Sequence, residues 1–65
     1  MPTTTKMPSP SRRKSIRVRA GWTRREVAEE LGVTMEAVRL WETGQRTPSG
    51  DRREAYAALL DSINY

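Results

Sequence analysis

Two helix-sized segments joined by a glycine constrain this chain more than any other feature of its sequence. The first covers residues 23–31 (TRREVAEEL) and the second residues 34–43 (TMEAVRLWET), so only Gly32 and Val33 connect them. Glycine adopts the positive φ of a tight turn without a steric penalty. The sequence therefore predicts two short helices that meet at a sharp angle.

The spacing of four small or apolar residues fits such an angle: Ala28, Gly32, Val38 and Trp41. A small residue lets the two backbones approach, and the later apolar pair fills the corner between the helices. This pattern predicts a helix-turn-helix unit, whose second helix is the one that enters the major groove of DNA.

Capping residues define both helices. Thr23 and Glu26 have the spacing of a capping box. Thr34 is the expected N-cap of the second helix, and Gly44 is expected to end it.

Two further helices are predicted around this unit. Ser9 and Pro10 favour a helix start, and that helix should stop at Gly21. A last helix should begin at a Ser49 or Asp51 cap and reach about residue 63. Its apolar stripe is Ala55, Tyr56, Leu59, Leu60 and Ile63.

The predicted fold class is therefore all-α, because no segment shows the alternation of a strand. We expect a small four-helix domain over residues 9–65 with a central helix-turn-helix. Residues 1–8 (MPTTTKMP) are polar and interrupted by proline, so they are expected to form a disordered N-terminal arm.

Length and composition argue against several functional classes. The 65 residues allow one small domain, and the lack of cysteine and histidine excludes disulfides and Cys/His metal sites. No nucleophile–base pair or phosphate-binding glycine loop is visible, so neither an enzyme nor a cofactor or small-molecule ligand is indicated. No apolar run approaches membrane-spanning length and no signal peptide is visible, which predicts a cytoplasmic protein without a membrane partner.

The basic residues are concentrated in the first part of the chain. The formal net charge is +4, but up to Arg25 there are eight basic residues and no acidic one. From Glu26 onward there are four basic and eight acidic residues. This split predicts a basic side that faces a polyanion. A solubilising tail explains it less well, because the basic residues continue into the helical unit.

From Arg17 onward the chain resembles the lambda-repressor/Cro type of helix-turn-helix, the Xre family. The matching motifs are R-x-x-x-G-W-T from Arg17, V-A-x-x-L-G-V from Val27 and V-x-x-W-E-x-G-x-R-x-P from Val38. The resemblance implies an all-helical fold that binds double-stranded DNA at an operator, as a repressor or similar regulator. The family's usual fifth helix, often part of a dimer interface, is absent here, which argues against the family's standard dimer; a homodimer on DNA stays an open alternative.

The resemblance also implies a structural ion pair between Arg17 and Glu42. A planar guanidinium can hold a carboxylate through two hydrogen bonds, and we favour this role over phosphate contact for Arg17. Two positions depart from the family pattern. Arg13 replaces a frequent apolar residue, so the first turns of helix 1 should dock loosely, and Arg24 replaces the usual glutamine.

If Val38 and Trp41 face inward, the base-reading side chains should come from the opposite face: Thr34, Met35, Glu36, Arg39 and Leu40. Arg39 is the strongest candidate, because arginine can bind guanine O6 and N7 together. Glu36 can accept from a cytosine amino group or pair with a surface neighbour such as Arg39. Leu40 and Met35 can contact thymine methyl groups or pack against other parts of the protein.

A second set of residues is suited to phosphate contact: Arg24, Arg25, Thr43, Arg46, Arg12, Arg13 and Lys14. Arg24 and Arg25 lie at the start of the second helix, where side chain and helix terminus both favour an anion. Arg52 and Arg53 are interpreted as solvated charges.

Two other functions compete with this interpretation. V-R-x-W-E followed by P-S-G-x-R-R-x-x-Y also resembles MerR- or excisionase-like modules, which would place a strand-paired wing around residues 50–53. A protein-binding adaptor or antitoxin-like partner would instead expose an apolar surface on the last helix, formed by Leu60, Ile63 and Tyr65.

Overall fold

The computed structural model of the chain describes residues 7–64. They form four helices: α1 (Pro10–Arg19), α2 (Arg24–Leu31), α3 (Met35–Thr43) and α4 (Gly50–Ile63). No strand occurs within this range, so the all-α prediction is confirmed. None of the helices described is long and apolar enough to cross a membrane.

The N-terminal arm predicted for residues 1–8 lies mostly outside the described residues. Its last two residues are an exception, because Met7 and Pro8 are half-buried and Met7 packs against the core. The helical unit therefore includes at least Met7 in addition to residues 9–64.

Side-chain caps begin the first three helices as predicted. Ser9 Oγ accepts from the backbone N–H of Arg12 at 3.3 Å. The capping box of α2 is complete, since Thr23 Oγ1 accepts from Glu26 N at 3.0 Å and Glu26 Oε1 accepts from Thr23 N at 2.8 Å. Thr34 Oγ1 accepts from the third residue of α3 at 3.1 Å. These bonds satisfy N–H groups that a helix start would otherwise leave unpaired.

Two glycines turn the chain at the ends of α2 and α3. Gly32 has φ 69° and ψ 33°, and Gly44 has φ 83°, so both lie in the left-handed region that favours glycine. Gly44 is also held close to the start of α1, because a Cβ at this position would lie 3.3 Å from Pro10 Cγ. The turn after α3 therefore requires glycine both for its conformation and for its contact with α1.

All four helices contribute apolar side chains to one core. Ala28, Val38 and Trp41 are buried between α2 and α3, as their spacing predicts. The ring of Trp41 packs on that of Tyr56 from α4, with centroids 4.9 Å apart and planes at 36°. The buried apolar residues are Ile16, Val27, Ala28, Val38, Trp41, Tyr56, Ala57, Leu60 and Ile63.

The apolar stripe of α4 differs from the predicted one at one position. Ala55 is exposed, whereas Ala57 is buried. The helix is rotated so that Tyr56 and Leu60, each 1% exposed, point directly into the core. Because Ala57 lies beside Tyr56 on this face, it replaces Ala55 in the contact with the other helices.

Buried ionic contacts connect α1, α2 and α3. Arg17 Nε donates to Glu42 Oε2 at 2.6 Å, and Arg17 Nη2 donates to Glu42 Oε1 at 3.1 Å. Arg24 Nε donates to the same Oε1 at 3.1 Å. The structure thus brings Arg17 and Glu42 together as the resemblance implies, and adds Arg24 as a second partner. We call these three residues the Glu42 cluster.

Arg13 corrects the expectation that the start of α1 docks loosely. Its side chain is buried, with Nε donating to Pro8 O at 2.8 Å and Nη1 donating to Trp41 O at 2.9 Å. The carbonyl of Trp41 belongs to α3, so this arginine fastens the first turns of α1 to α3. A long side chain can use its apolar stem for packing and its guanidinium for hydrogen bonds, which an apolar residue cannot do.

Tyr56 lies beside this polar region. Burial, followed by the charge of Glu42, raises the pKa of its hydroxyl to about 12. The hydroxyl is fully buried and has no hydrogen-bond partner among residues 7–64. An unpaired buried hydroxyl is unfavourable, so Tyr56 contributes to stability through its ring and not through its oxygen.

Candidate nucleic-acid interface

The surface of α3 opposite the core is open to solvent. Val38 is fully buried, whereas Met35 is 52% exposed. The side chains of Glu36 and Arg39 are 62% and 40% exposed. Thr34 is exposed at the start of the helix. The predicted outward face therefore exists, and it presents one cation, one anion and one thioether at the surface.

Met35 and Leu40 differ in their surroundings. The exposure of Met35 argues against the explanation that it packs on another part of the described protein. Leu40 is half-buried and lines a shallow groove between α3 and the loop that leads to α4. The groove lining includes Thr34, Glu36, Leu40, Arg46, Pro48 and Arg52.

Glu36 and Arg39 form a bidentate ion pair on the exposed face. Arg39 Nε donates to Glu36 Oε1 at 3.0 Å, and Arg39 Nη2 donates to Glu36 Oε2 at 2.6 Å. The hydrogen bonds from Arg39 lower the pKa of Glu36, and the same contact raises the pKa of Arg39. Both groups are therefore charged near neutral pH.

The start of α2 presents two arginines with different neighbours. Arg24 is half-buried and its Nε is bound to Glu42, whereas its two terminal nitrogens make no hydrogen bond to residues 7–64. Arg25 is 76% exposed and makes a 3.4 Å contact with Glu29 one turn later. Both positions suit phosphate, but only Arg24 is held in place by a buried carboxylate.

The end of α3 contributes side chains on the other side of this helix. Thr43 and Arg46 are exposed, and the hydroxyl of Thr43 donates to Leu40 O at 3.2 Å. Arg46 lies in the groove lining together with Arg52 from the first turn of α4. These residues place two cations beside the outward face of α3.

The predicted basic stretch on α1 is divided by burial. Arg12 and Lys14 are exposed, so both remain suitable for phosphate. Arg13 is 6% exposed and has its donors on Pro8 and Trp41, so it is removed from the phosphate set. Neighbouring residues on a helix point in different directions, and here the middle one points inward.

Sequence reasoning missed Arg52 as a candidate contact. It was interpreted as a solvated charge, but its place in the groove beside Thr34 and Leu40 makes it a neighbour of α3. The sequence carried no signal for this position, because the path of the loop after α3 decides whether the first turn of α4 lies beside α3. The second partner of Glu42, Arg24, had no signal in the sequence either.

The structure also removes the features on which the competing functions depend. The wing predicted around residues 50–53 would require paired strands, but these residues begin α4. An adaptor would expose Leu60 and Ile63, but these residues are 1% and 7% exposed, so the prediction of an apolar surface there is wrong. Tyr65, the third residue of that surface, lies outside the described residues.

The fold and its open helix face define a DNA-binding helix-turn-helix domain. A family model described as helix-turn-helix matches residues 14–64, which is most of the chain. The chain therefore belongs to this family, in its Xre, lambda-repressor-like form. No curated protein and no solved structure shows significant similarity to it.

Proposed function

We propose that this protein is a sequence-specific transcriptional regulator that binds double-stranded DNA and acts as a repressor. The observation that carries the proposal is the difference in burial between the two faces of α3. Its inner face is buried on Val38 and Trp41, while Arg39 and its neighbours are exposed on the opposite face. A short helix held in this way can enter the major groove without disturbing the core.

Sequence reading is assigned to the outward face of α3, with Thr34, Met35, Glu36, Arg39 and Leu40 as the residues that approach base edges. Arg39 supplies the donors for guanine, and Met35 supplies an apolar surface for a thymine methyl group. The assignment is supported by the exposure of Thr34, Met35, Glu36 and the Arg39 side chain, with the half-buried Leu40 in the adjoining groove.

Phosphate binding is assigned to six cations and one hydroxyl outside the base-reading set: Arg24, Arg25, Thr43, Arg46, Arg12, Lys14 and, from the structure, Arg52. Such contacts fix the register of a protein on DNA but carry no base information. We propose that residues 9–65, together with Met7 on the core, form the DNA-binding domain and that the residues before Met7, with Lys6, form an arm along the duplex.

The experiment that tests this function is selection of bound sites from random double-stranded DNA, followed by footprinting. Enrichment of one motif within a footprint about one major groove wide is the expected result for a monomer. A palindromic motif with half-sites about one helical turn apart would indicate a homodimer on DNA. Bound DNA without an enriched motif would exclude sequence-specific binding.

Repression is tested separately, with a reporter whose promoter overlaps the selected site. Expression should fall when the protein is produced and recover when the site is scrambled. A rise in expression would assign the protein to activation instead.

A further inference from the structure

The ion pair on α3 leaves one edge of the Arg39 guanidinium free. Glu36 occupies the edge formed by Nε and Nη2, at 3.0 and 2.6 Å. The end-on edge between Nη1 and Nη2 carries one hydrogen of each nitrogen, and neither is used in a hydrogen bond to residues 7–64. This end-on edge has the two-donor geometry that matches the O6 and N7 acceptors of guanine.

From this geometry we infer that Glu36 is a positioning residue, which holds Arg39 so that its Nη1–Nη2 edge faces a guanine. The inference rests on the proposed function, because it concerns how the same helix face selects its site. It also decides between the two roles that the sequence left open for Glu36. The positioning role is favoured because the two hydrogen bonds from Arg39 occupy one lone pair on each oxygen of Glu36.

The positioning has two physical consequences. An unrestrained arginine loses rotamer freedom when it binds a base, and a neighbour that restrains it beforehand reduces that entropic cost. The carboxylate also repels phosphate, so it weakens binding to every DNA, whether or not a guanine is present. Glu36 should therefore lower general affinity while raising discrimination.

The test uses Glu36→Ala with Glu29→Ala as a matched control. Glu29 is also an exposed helix glutamate in contact with an arginine, at 3.4 Å from Arg25 Nε, but it lies on α2 away from the base-reading face. Each variant is titrated at one fixed salt concentration against the selected site, against sites with each guanine replaced, and against scrambled DNA. Arg39→Ala identifies the base position that Arg39 contacts.

Glu36→Ala should bind scrambled DNA more tightly than wild type, because a negative charge is lost. Its discrimination at the base position identified with Arg39→Ala should fall by at least about fivefold, the lower end of what a bidentate arginine–guanine contact supplies. Glu29→Ala should bind all DNAs more tightly by one common factor. The double variant Glu36→Ala/Arg39→Ala should discriminate no worse at that position than Arg39→Ala.

Three results would overturn the inference. If Glu36→Ala behaves like Glu29→Ala, the ion pair has no role in base selection. If it relaxes preference at a cytosine that Arg39→Ala leaves unchanged, Glu36 reads that base directly. In both cases base reading by Arg39 survives. If Arg39→Ala itself leaves every base preference intact, the proposed reading by α3 fails and the positioning role fails with it.

Discussion

Two glutamates on α3 bind arginine through both carboxylate oxygens, and they differ in burial far more than in geometry. The shortest contact is 2.6 Å in both pairs, Arg17–Glu42 and Arg39–Glu36. The side chain of Glu42 is 1% exposed, whereas that of Glu36 is 62% exposed. An orphaned charge is costly only where water cannot solvate it. Similar bonds therefore serve stability at Glu42 and are available for binding at Glu36.

The partners reinforce this difference. Arg17 also donates from Nη1 to Trp22 O at 2.9 Å, so each of its three guanidinium nitrogens has an acceptor within the fold. The Nη1 of Arg39 makes no hydrogen bond to residues 7–64, and the side chain is 40% exposed. A buried cation whose three nitrogens all bind acceptors inside the protein cannot reach DNA without breaking these bonds. We therefore keep Arg17 in the structural role and Arg39 in the base-reading role.

The largest effect is expected when the buried pair is broken. Glu42→Ala leaves Arg17 buried without a counter-charge, which costs about 3–5 kcal/mol of unfolding free energy. A small domain has about 5–15 kcal/mol in total, so most of its stability is at risk. Thermal and urea denaturation followed by circular dichroism measure the loss. Glu36→Ala is the matched control and should have the melting temperature of wild type. Equal melting temperatures for wild type, Glu42→Ala and Glu36→Ala would contradict the comparison.

The next effect is on specific binding and not on stability. Arg39→Ala should weaken binding to the selected site by about 5–150-fold, the range of a bidentate arginine–guanine contact. Scrambled DNA should lose far less, and the melting temperature should stay near that of wild type because Arg39 is on the surface. Equal weakening on both DNAs would reassign Arg39 to phosphate and place base reading elsewhere on α3.

Arg24 lies between the two regions and sharpens the comparison. It is bound to the buried carboxylate of Glu42 and is 34% exposed at the start of α2. Arg24→Ala should weaken all DNAs alike and reduce the slope of log affinity against log salt by about 0.9, the value for one phosphate contact. Arg19→Ala removes an exposed arginine outside the proposed sets and should leave the slope nearly unchanged. An unchanged slope in Arg24→Ala would confine this residue to the Glu42 cluster.

The smallest effect is expected at the buried hydroxyl of Tyr56, beside the Glu42 cluster. The pKa of Tyr56 is raised to about 12 in the fold, against about 10 for an unperturbed tyrosine. The unfolded chain therefore loses the hydroxyl proton at a lower pH than the folded protein. The free energy of unfolding is not affected by this ionisation below about pH 10 and decreases as the pH rises towards 12. Tyr56→Phe should be close to wild type at neutral pH, because the hydroxyl is unpaired. Its melting temperature should fall less than that of wild type between pH 10 and 12, and parallel falls would contradict this assignment.

The helices could be predicted from the sequence because their ends depend on neighbours in the chain. The capping box joins Thr23 to Glu26, three residues away, and the left-handed turn needs only a glycine at position 32. Side-chain direction on α3 follows from helical period, so the outward position of Arg39 was predictable as well. The ion pair of Arg17 with Glu42 came from family resemblance and not from local pattern.

The sequence by itself therefore determined where the helices begin and end and which face of α3 is open, since these follow from contacts over one turn. Only the tertiary structure decided that Arg13 is buried, that Arg24 shares Glu42, and that Arg52 lies beside α3. Arg13 reaches a carbonyl 28 residues away, and Arg24 reaches a carboxylate 18 residues away. An arginine next to other arginines has the same local pattern whether it faces solvent or a distant carbonyl. Helix packing makes that choice, because it brings acceptors from remote segments within reach of particular side chains.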